Sequence, residues 1–443
     1  MSKKKKENGL VPALRFPEFR DKGEWKSELF GEIYNFKTTN SLSRDKLNYE
    51  KGTVKNIHYG DIHTKFSTLF DIENEVVPYI NPTESLEKIK PESFCVEGDM
   101  IFADASEDMD DIGKCIEIVS LNNEKLVSGL HTLLARQINK KLIVGFGGYL
   151  FKSSRIREQI RKESQGAKVL GLSGGRLSSI TVVYPADEKE QQKIADCLAS
   201  IDDLVAFETQ KLDGLKAHKK GLMQQLFPAE GETLPKLRFP EFRGKGEWEE
   251  TTLGQCLVRR PEYGINAPSV PFAENLPTYL RITDISDDGR IRQDQRVSVA
   301  KNVTDENYLE DGDIVLARTG ASVGKAYKYR INDGRLVFAG FLIRVRADEQ
   351  KLNSEFLFHF LSTEQYWRWV DFSSARSGQP GINGNEYASL PLQLPPTLKE
   401  QQKIADCLAS IGELIAVQTQ KIEVFKAHKK GLMQQLFPGA GTE

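Results

Sequence analysis

The sequence predicts an α+β chain with a pseudo-two-fold internal repeat, in which two similar mixed domains are separated by two long antiparallel coiled-coil helices. Three observations lead there. Residues 14–25, beginning Leu14-Arg15-Phe16-Pro17-Glu18-Phe19-Arg20, recur as residues 237–248 with 11 of 12 positions identical. Residues 190–228 recur as 400–438 with 30 of 39 identical, which excludes chance. The offset between copies is 223 at the first pair and 210 at the second, and between these anchors the similarity thins to fragments. Gly60-Asp61-Ile62 faces Thr283-Asp284-Ile285, Gly98-Asp99 faces Gly312-Asp313, and Gly113-Lys114 faces Gly324-Lys325. Near-identical flanks imply a common partner; divergent middles imply different ligands of one kind.

The repeated flanks read as helices. Asp187-Glu188-Lys189-Glu190 follows Pro185, and Thr397-Leu398-Lys399-Glu400 follows Pro395-Pro396, so each start has capping-box form. Stepping by four and three from Ile194 meets Leu198, Ile201, Val205, Glu208, Leu212, Leu215, Lys219, Leu222 and Leu226. The second copy gives Ile404, Leu408, Ile411, Ile415, Gln418, Ile422, Phe425, Lys429, Leu432 and Leu436. Each is a heptad stripe, apolar at eight of ten positions, and two such stripes in one chain are most simply buried against each other. At ~1.5 Å per residue, helices of this length make rods of about 57 Å. Pro228 and Pro438 mark where each should stop.

The repeats divide the chain into a basic tail over 1–13, a first domain with its repeated N-terminal segment over 14–185, and a first helix over 186–228. A second domain with its own repeated segment follows over 229–395, then a second helix and tail over 396–443.

With 39% hydrophobic and 28% charged residues the composition is that of an ordinary globular protein, and no apolar run approaches the ~20 residues of a membrane span. The lysine-rich start, Met1-Ser2-Lys3, has no apolar stretch behind it and does not read as a secretory signal. Five scattered cysteines without C-x-x-C spacing suit a reducing compartment, so a cytoplasmic location is expected. The net charge of −2 argues against nucleic acid for the chain as a whole. Locally the balance reverses. Residues 152–176 carry seven basic side chains against two acidic ones, and residues 318–346 carry seven against one, a pattern to which a phosphate backbone responds.

No reaction centre emerges. Gly320-Ala321-Ser322-Val323-Gly324-Lys325 approximates a phosphate loop, but Thr319 stands where the first glycine belongs and Ala326 where a magnesium-binding hydroxyl belongs. It reads better as a turn between strands. Gly145-Phe146-Gly147-Gly148 reads as a turn, and Asn81-Pro82-Thr83 does not supply the Asn/Asp-Pro-Pro-aromatic motif of an adenine methyltransferase. The six histidines show no metal-ligand spacing. Tyr366, Trp367 and Trp369 read as a helix packing on its domain core rather than a base-stacking platform.

Taken together, the pattern resembles the DNA specificity subunits of type I restriction-modification systems over nearly the whole chain. The resemblance rests on Pro395-Pro396-Thr397-Leu398-Lys399-Glu400-Gln401-Gln402 with its first copy from Pro185, and on Gly312-Asp313-Ile314-Val315-Leu316-Ala317-Arg318-Thr319-Gly320. Gly378-Gln379-Pro380-Gly381-Ile382 resembles the family's glycine-glutamine loop. The first copy departs from both, with Gly166-Ala167-Lys168 for the glutamine loop and Ala103-Asp104 for Ala317-Arg318.

The resemblance implies a subunit with no catalytic residue, metal or cofactor of its own. Each target-recognition domain would read one half of a bipartite, asymmetric site in double-stranded DNA, and the paired helices would fix the spacer. Two adenine methyltransferase subunits would dock on the repeated helical parts and bring S-adenosylmethionine. The family also pairs with two motor and nuclease subunits, which use ATP and magnesium. The residues expected to contact DNA lie in glycine-bearing loops near the basic stretches: Lys114, Lys168 and Arg176 in the first domain, and Arg318, Lys325, Arg376 and Gln379 in the second. Arginine and glutamine make bidentate base contacts, whereas lysine more often meets phosphate. The residues alone leave two rivals standing, a self-contained methyltransferase or nuclease with unrecognised motifs and a coiled-coil scaffold without a DNA role.

Overall fold

The computed structural model describes residues 10–166, 168–286, 288–292, 295–375 and 379–439. The tail expected over 1–13 lies outside them as far as residue 9. The chain forms two compact units, Met1–Glu208 with Lys421–Glu443, and Thr209–Gln420. This division follows packing rather than chain order, and it cuts each long helix in the middle.

In the first unit a five-stranded sheet runs in the order Tyr34–Lys37, Thr132–Gln137, Met100–Ala103, Cys115–Ser120 and Leu69–Asp71; only the last pairing is parallel. Met100–Ala103 is buried along its whole length, as a central strand of apolar residues must be. A second sheet joins Leu126–Ser128, Lys55–Ile57, Tyr79–Ile80 and Leu47–Asn48. Lys26–Leu29 pairs antiparallel with Thr181–Tyr184 and brings the repeated N-terminal segment beside the start of the first long helix.

The second unit repeats this plan. Its main sheet runs Glu262–Tyr263, Leu342–Val345, Ile314–Ala317 and Ala326–Lys328, all antiparallel, and has four strands where the first unit has five. Glu249–Thr252 pairs with Pro391–Leu394 as Lys26–Leu29 pairs with Thr181–Tyr184.

The long helices are Glu188–Leu226 and Leu398–Leu436, each 39 residues. Within the first unit Lys429 meets Asp202 while Lys421 meets Glu208, so one helix descends as the other ascends and the pair is antiparallel. Ile194 and Leu198 bury their stripe in a core with Leu436 and Phe437, and in the second unit Ile404 and Leu408 do so with Leu226 and Phe227. At each helix start the N-cap side chain bonds a first-turn N–H, but the reciprocal bond from the N3 glutamate does not form. Asp187 accepts from the Lys189 N–H at 3.0 Å and Thr397 Oγ1 from the Glu400 N–H at 3.3 Å. The glutamates are taken elsewhere: Glu190 accepts two bonds from Arg15 and one from the Trp25 indole at 3.2 Å, and Glu400 accepts two from Arg238. A charge-assisted bidentate pair outweighs the weaker bond a glutamate makes to its own N-cap. The following glutamines are equally committed, Gln191 Oε1 to the Ile143 N–H at 2.9 Å and Gln401 Oε1 to the Asn353 N–H at 2.8 Å.

Candidate nucleic-acid interface

In the second unit the expected residues gather where strand Ile314–Ala317 ends. Arg318 is fixed by its backbone, donating to the Phe341 carbonyl at 3.0 Å and accepting from the Ile382 N–H at 2.9 Å. Its guanidinium lies over the Tyr263 ring at 4.9 Å, and the Tyr263 hydroxyl accepts from the Gly384 N–H at 2.9 Å. Arg318 Nε is buried without a hydrogen-bond partner among the described residues. A cation on an aromatic face is held in place while its outer nitrogens stay available to an acceptor.

The next residues tie down the glutamine loop. Thr319 bridges Gly381, and the Gly320 N–H donates to the Pro380 carbonyl at 3.1 Å. Gly320 has a φ of +77°, and a Cβ there would stand 3.2 Å from Gln379 Nε2, so the exposed glutamine crosses directly over a residue without a side chain. Arg318 and Gln379, 61 positions apart, therefore share one rim. Lys325 sits on the adjoining turn, where its carbonyl accepts from the Ala317 N–H at 2.8 Å. Arg376 and Gly378 lie outside the described residues. The neighbouring helix Glu364–Ser374 serves as support: Tyr366 is buried and donates to the Gly324 carbonyl at 2.6 Å.

The first unit uses the same backbone frame with other side chains. Asp104 donates to the His131 carbonyl at 3.0 Å and accepts from the Leu172 N–H at 2.8 Å, the two bonds that Arg318 makes to Phe341 and Ile382. Where the second unit presents Arg318 on Tyr263, the first presents the Asp104 carboxylate 3.2 Å from His131 Nδ1. Burial raises the Asp104 pKa and His131 opposes that rise. The His131 ring meets Tyr59 edge-on at 5.3 Å, and Tyr59 lies against His58 at 4.7 Å. At the repeat offset Gln379 corresponds to the exposed Val169. Lys168, next to it, is exposed; Arg176 lies farther along and donates to the Glu163 carbonyl at 3.1 Å; Lys114 donates to the His63 carbonyl at 2.7 Å. Of the three first-domain residues, Lys114 and Arg176 are engaged on backbone carbonyls and Lys168 is exposed.

Tyr263, Asp104, His131 and Tyr59 escaped sequence reasoning. The repeat offset at 318 already pointed to Asp104, but a carboxylate is not an expected DNA contact. His131 and Tyr263 enter only through strand pairing, which spacing does not reveal.

The charge of the basic stretches is smaller than the local count suggests. Arg344 and Arg346 are spent on the buried Asp313, Arg344 also on Glu262, and Lys328 on Glu355. In the first unit Lys152 is half-buried and donates to the Thr68 hydroxyl, with its pKa pushed down to about 8 by desolvation, and Arg161 pairs with Asp110. Folding brings in carboxylates from outside each window, so a window count overstates the free charge. Among the described residues no group of histidine, cysteine and carboxylate side chains is placed to hold a metal, and no helix is long and apolar enough to cross a membrane.

A duplicated chain that frames different polar side chains on two copies of one β scaffold, each tied to paired heptad helices, has the organisation of a two-headed recognition protein. The family model described as "Type I restriction modification DNA specificity domain" matches residues 22–217 and 278–427, and the chain belongs to this family. It is 24% identical over 415 residues to the putative type I restriction enzyme MjaX specificity subunit of Methanocaldococcus jannaschii, covering 92% of this chain and 91% of that one. Over 267 residues it is 27% identical to the type I restriction enzyme StySPI specificity subunit of Salmonella potsdam, covering 57% and 55%. The fold is similar to the S subunit of the type I restriction-modification system of M. genitalium, with a TM-score of 0.59 and 12% identity over 97% of this chain and 99% of that one. A chain from a structure describing complex assembly and conformational transition of the type I R-M system gives 0.53 and 16%, covering 94% and 98%. At these identities the two structures speak for the fold alone.

Proposed function

We propose that this specificity subunit reads a bipartite, asymmetric site in double-stranded DNA, one half-site per β domain, and holds two adenine methyltransferase subunits against it. The observation that carries the reading is the shared frame: equivalent backbone bonds present Arg318 beside Phe341 in one copy and Asp104 beside His131 in the other, and Gln379 of the one stands where the other has Val169. A common scaffold with different polar edges suits two different short base sequences. The near-identical segments 14–25 and 237–248, with the long helices, are the natural docking surfaces for two copies of one partner. In this reading the chain carries no catalytic residue, metal or cofactor. The methyltransferases supply S-adenosylmethionine, two motor and nuclease subunits supply ATP and magnesium chemistry, and the assembly works in the cytoplasm.

Exchange of residues 249–395 for the corresponding domain of another family member, followed by sequencing of methylated adenines, tests it. The half-site read by the second domain should change and the other should not. A change in both halves, or in neither, overturns the reading.

A further inference from the structure

In the first unit three side chains form a closed cluster where the helices pack. Lys429 Nζ lies 2.5 and 2.6 Å from the Asp202 oxygens, the Tyr149 hydroxyl donates to Asp202 Oδ2 at 2.8 Å, and Lys429 sits 5.0 Å from the Tyr149 ring centre. The repeat offset of 210 carries these residues to Lys219, Gly412 and His359. The second unit keeps the lysine, replaces the hydroxyl by an imidazole and deletes the carboxylate.

The deletion leaves cationic groups without their counter-charge. A Cβ built on Gly412 would lie 3.5 Å from Lys219 Nζ, so a carboxylate at this position would reach the lysine as Asp202 reaches Lys429. Lys219 makes no ion pair among the described residues, and burial lowers its pKa. His359 is 3% exposed, and its Nε2 is buried without a hydrogen-bond partner, 3.6 Å from Glu355 Oε1. Burial and the nearby Lys219 hold the His359 pKa down to about 4. Arg330 donates only to the Lys328 carbonyl and has no ion pair among the described residues. The acids nearby are engaged: Glu355 with Lys328 at 3.1 Å, Glu413 with Arg290 at 2.9 Å, and Asp288, whose charge also acts on Lys219, with Arg290 at 3.5 Å.

These groups line one cavity of about 980 Å³, which also has apolar wall from Phe227, Met223 and Phe358. That volume stands at the upper end of the roughly 300–1,000 Å³ of small-molecule sites, with room for more than an inorganic anion. Lys219 and Arg330 are half-buried; a partly desolvated cation without a counter-charge is unfavourable, and a ligand supplying that charge offsets the cost on binding.

We propose that this cavity is an anion site, taking a phosphate or carboxylate group of a small molecule between Lys219, Arg330 and the Nε2–H of His359, in the place that Asp202 holds in the first repeat. The ligand's negative charge keeps a proton on His359, and the organic remainder lies against Phe358 and Met223.

The internal repeat provides the control. Thermal unfolding and calorimetric titration of the full chain are followed with inorganic phosphate, pyrophosphate and citrate, against chloride at matched ionic strength. At least one of the three anions should raise Tm above the chloride value, phosphate or pyrophosphate marking a phosphoryl ligand and citrate a carboxylate. G412D should raise Tm without added anion and abolish the further rise; K219M should weaken binding at least tenfold; K429M, in the first repeat, should leave the affinity unchanged. No shift beyond chloride with any of the three, or equal shifts in wild type and G412D, would overturn the proposal.

Discussion

Arg15 and Glu190, 175 positions apart, meet in a buried two-bond ion pair at 2.6 and 2.7 Å, and Arg238 repeats it with Glu400 at 2.7 and 2.8 Å. The pair explains the repetition of Leu-Arg-Phe-Pro-Glu-Phe-Arg: the arginine clamps the segment to the first turn of its helix and also donates to the carbonyl of Gly23 or Gly246. Removing one partner of such a pair strands a buried charge, at a cost of about 3–5 kcal/mol. Arg15→Ala should therefore lower the unfolding free energy of the first unit by about that amount, and Arg15→Met with Glu190→Met should recover most of it. Urea titrations of the three proteins decide it; a single mutant within ~1 kcal/mol of wild type would refute the clamp.

Arg318→Ala and Gln379→Ala should each relax the base preference at one position of the half-site read by the second domain. A bidentate base contact carries about 1–3 kcal/mol of discrimination. Lys325→Ala, if its side chain meets phosphate, should weaken all sequences alike and flatten the salt dependence. Competition binding of the assembled methyltransferase to a set of single-base variants separates these outcomes.

Glu117 supplies a pH dependence. Its carboxyl is buried, and desolvation pushes its pKa from 4.5 up to about 7 against the opposing hydrogen bond from the Gly148 N–H. A carboxyl with a raised folded-state pKa keeps its proton while the unfolded chain has lost it. The contribution of Glu117 to the stability of the first unit is therefore full below pH 4.5, falls as pH rises toward 7, and levels off above that. The loss is on the order of 3 kcal/mol. Glu117→Gln accepts the same Gly148 bond without titrating, so the stability of wild type relative to this variant should fall by that amount between pH 5 and 8, the other titrating groups being common to both. Chemical denaturation at pH 5, 6, 7 and 8 reads the difference.

Seven residues inserted after Ala206, with seven more after Ala416, should keep both heptad stripes in phase and lengthen each helix by about 10 Å. At about 3.4 Å per base pair, the gap between methylated half-sites should grow by roughly three base pairs with the half-site bases unchanged. An active variant with an unaltered gap would mean that the helices do not set the spacing.

The repeat and the two helices were legible because each leaves a local trace, identity at a fixed offset or a 3.5-residue stripe; Arg318 and Gln379 were picked out singly beside glycines, and only the bridge between Thr319 and Gly381 brings them together. The composition of the compact units was not. Residues 421–443 join the first unit because antiparallel pairing sends Lys429 to Asp202, and helical periodicity says nothing about which partner segment a stripe will meet. The basic stretches misled for a related reason, since Asp313 reaches Arg344 and Arg346 through strand pairing that lies outside any window. The Arg318–Tyr263 stack likewise depends on Glu262–Tyr263 pairing with Leu342–Val345.

The first unit draws Leu436 and Phe437 into a core that also holds Trp25, Phe146 and Ile194. On a ribosome, then, the part of the molecule made first is the last to be finished. While residues 209–420 already contain everything their own core requires, Trp25 and Phe146 must wait through more than two hundred further peptide bonds for Phe437. Over that interval the first unit lacks the Leu436 and Phe437 side chains that close its core, and a chain stalled before residue 421 would carry one unit with its core complete and one whose Trp25 and Phe146 miss their aromatic neighbour.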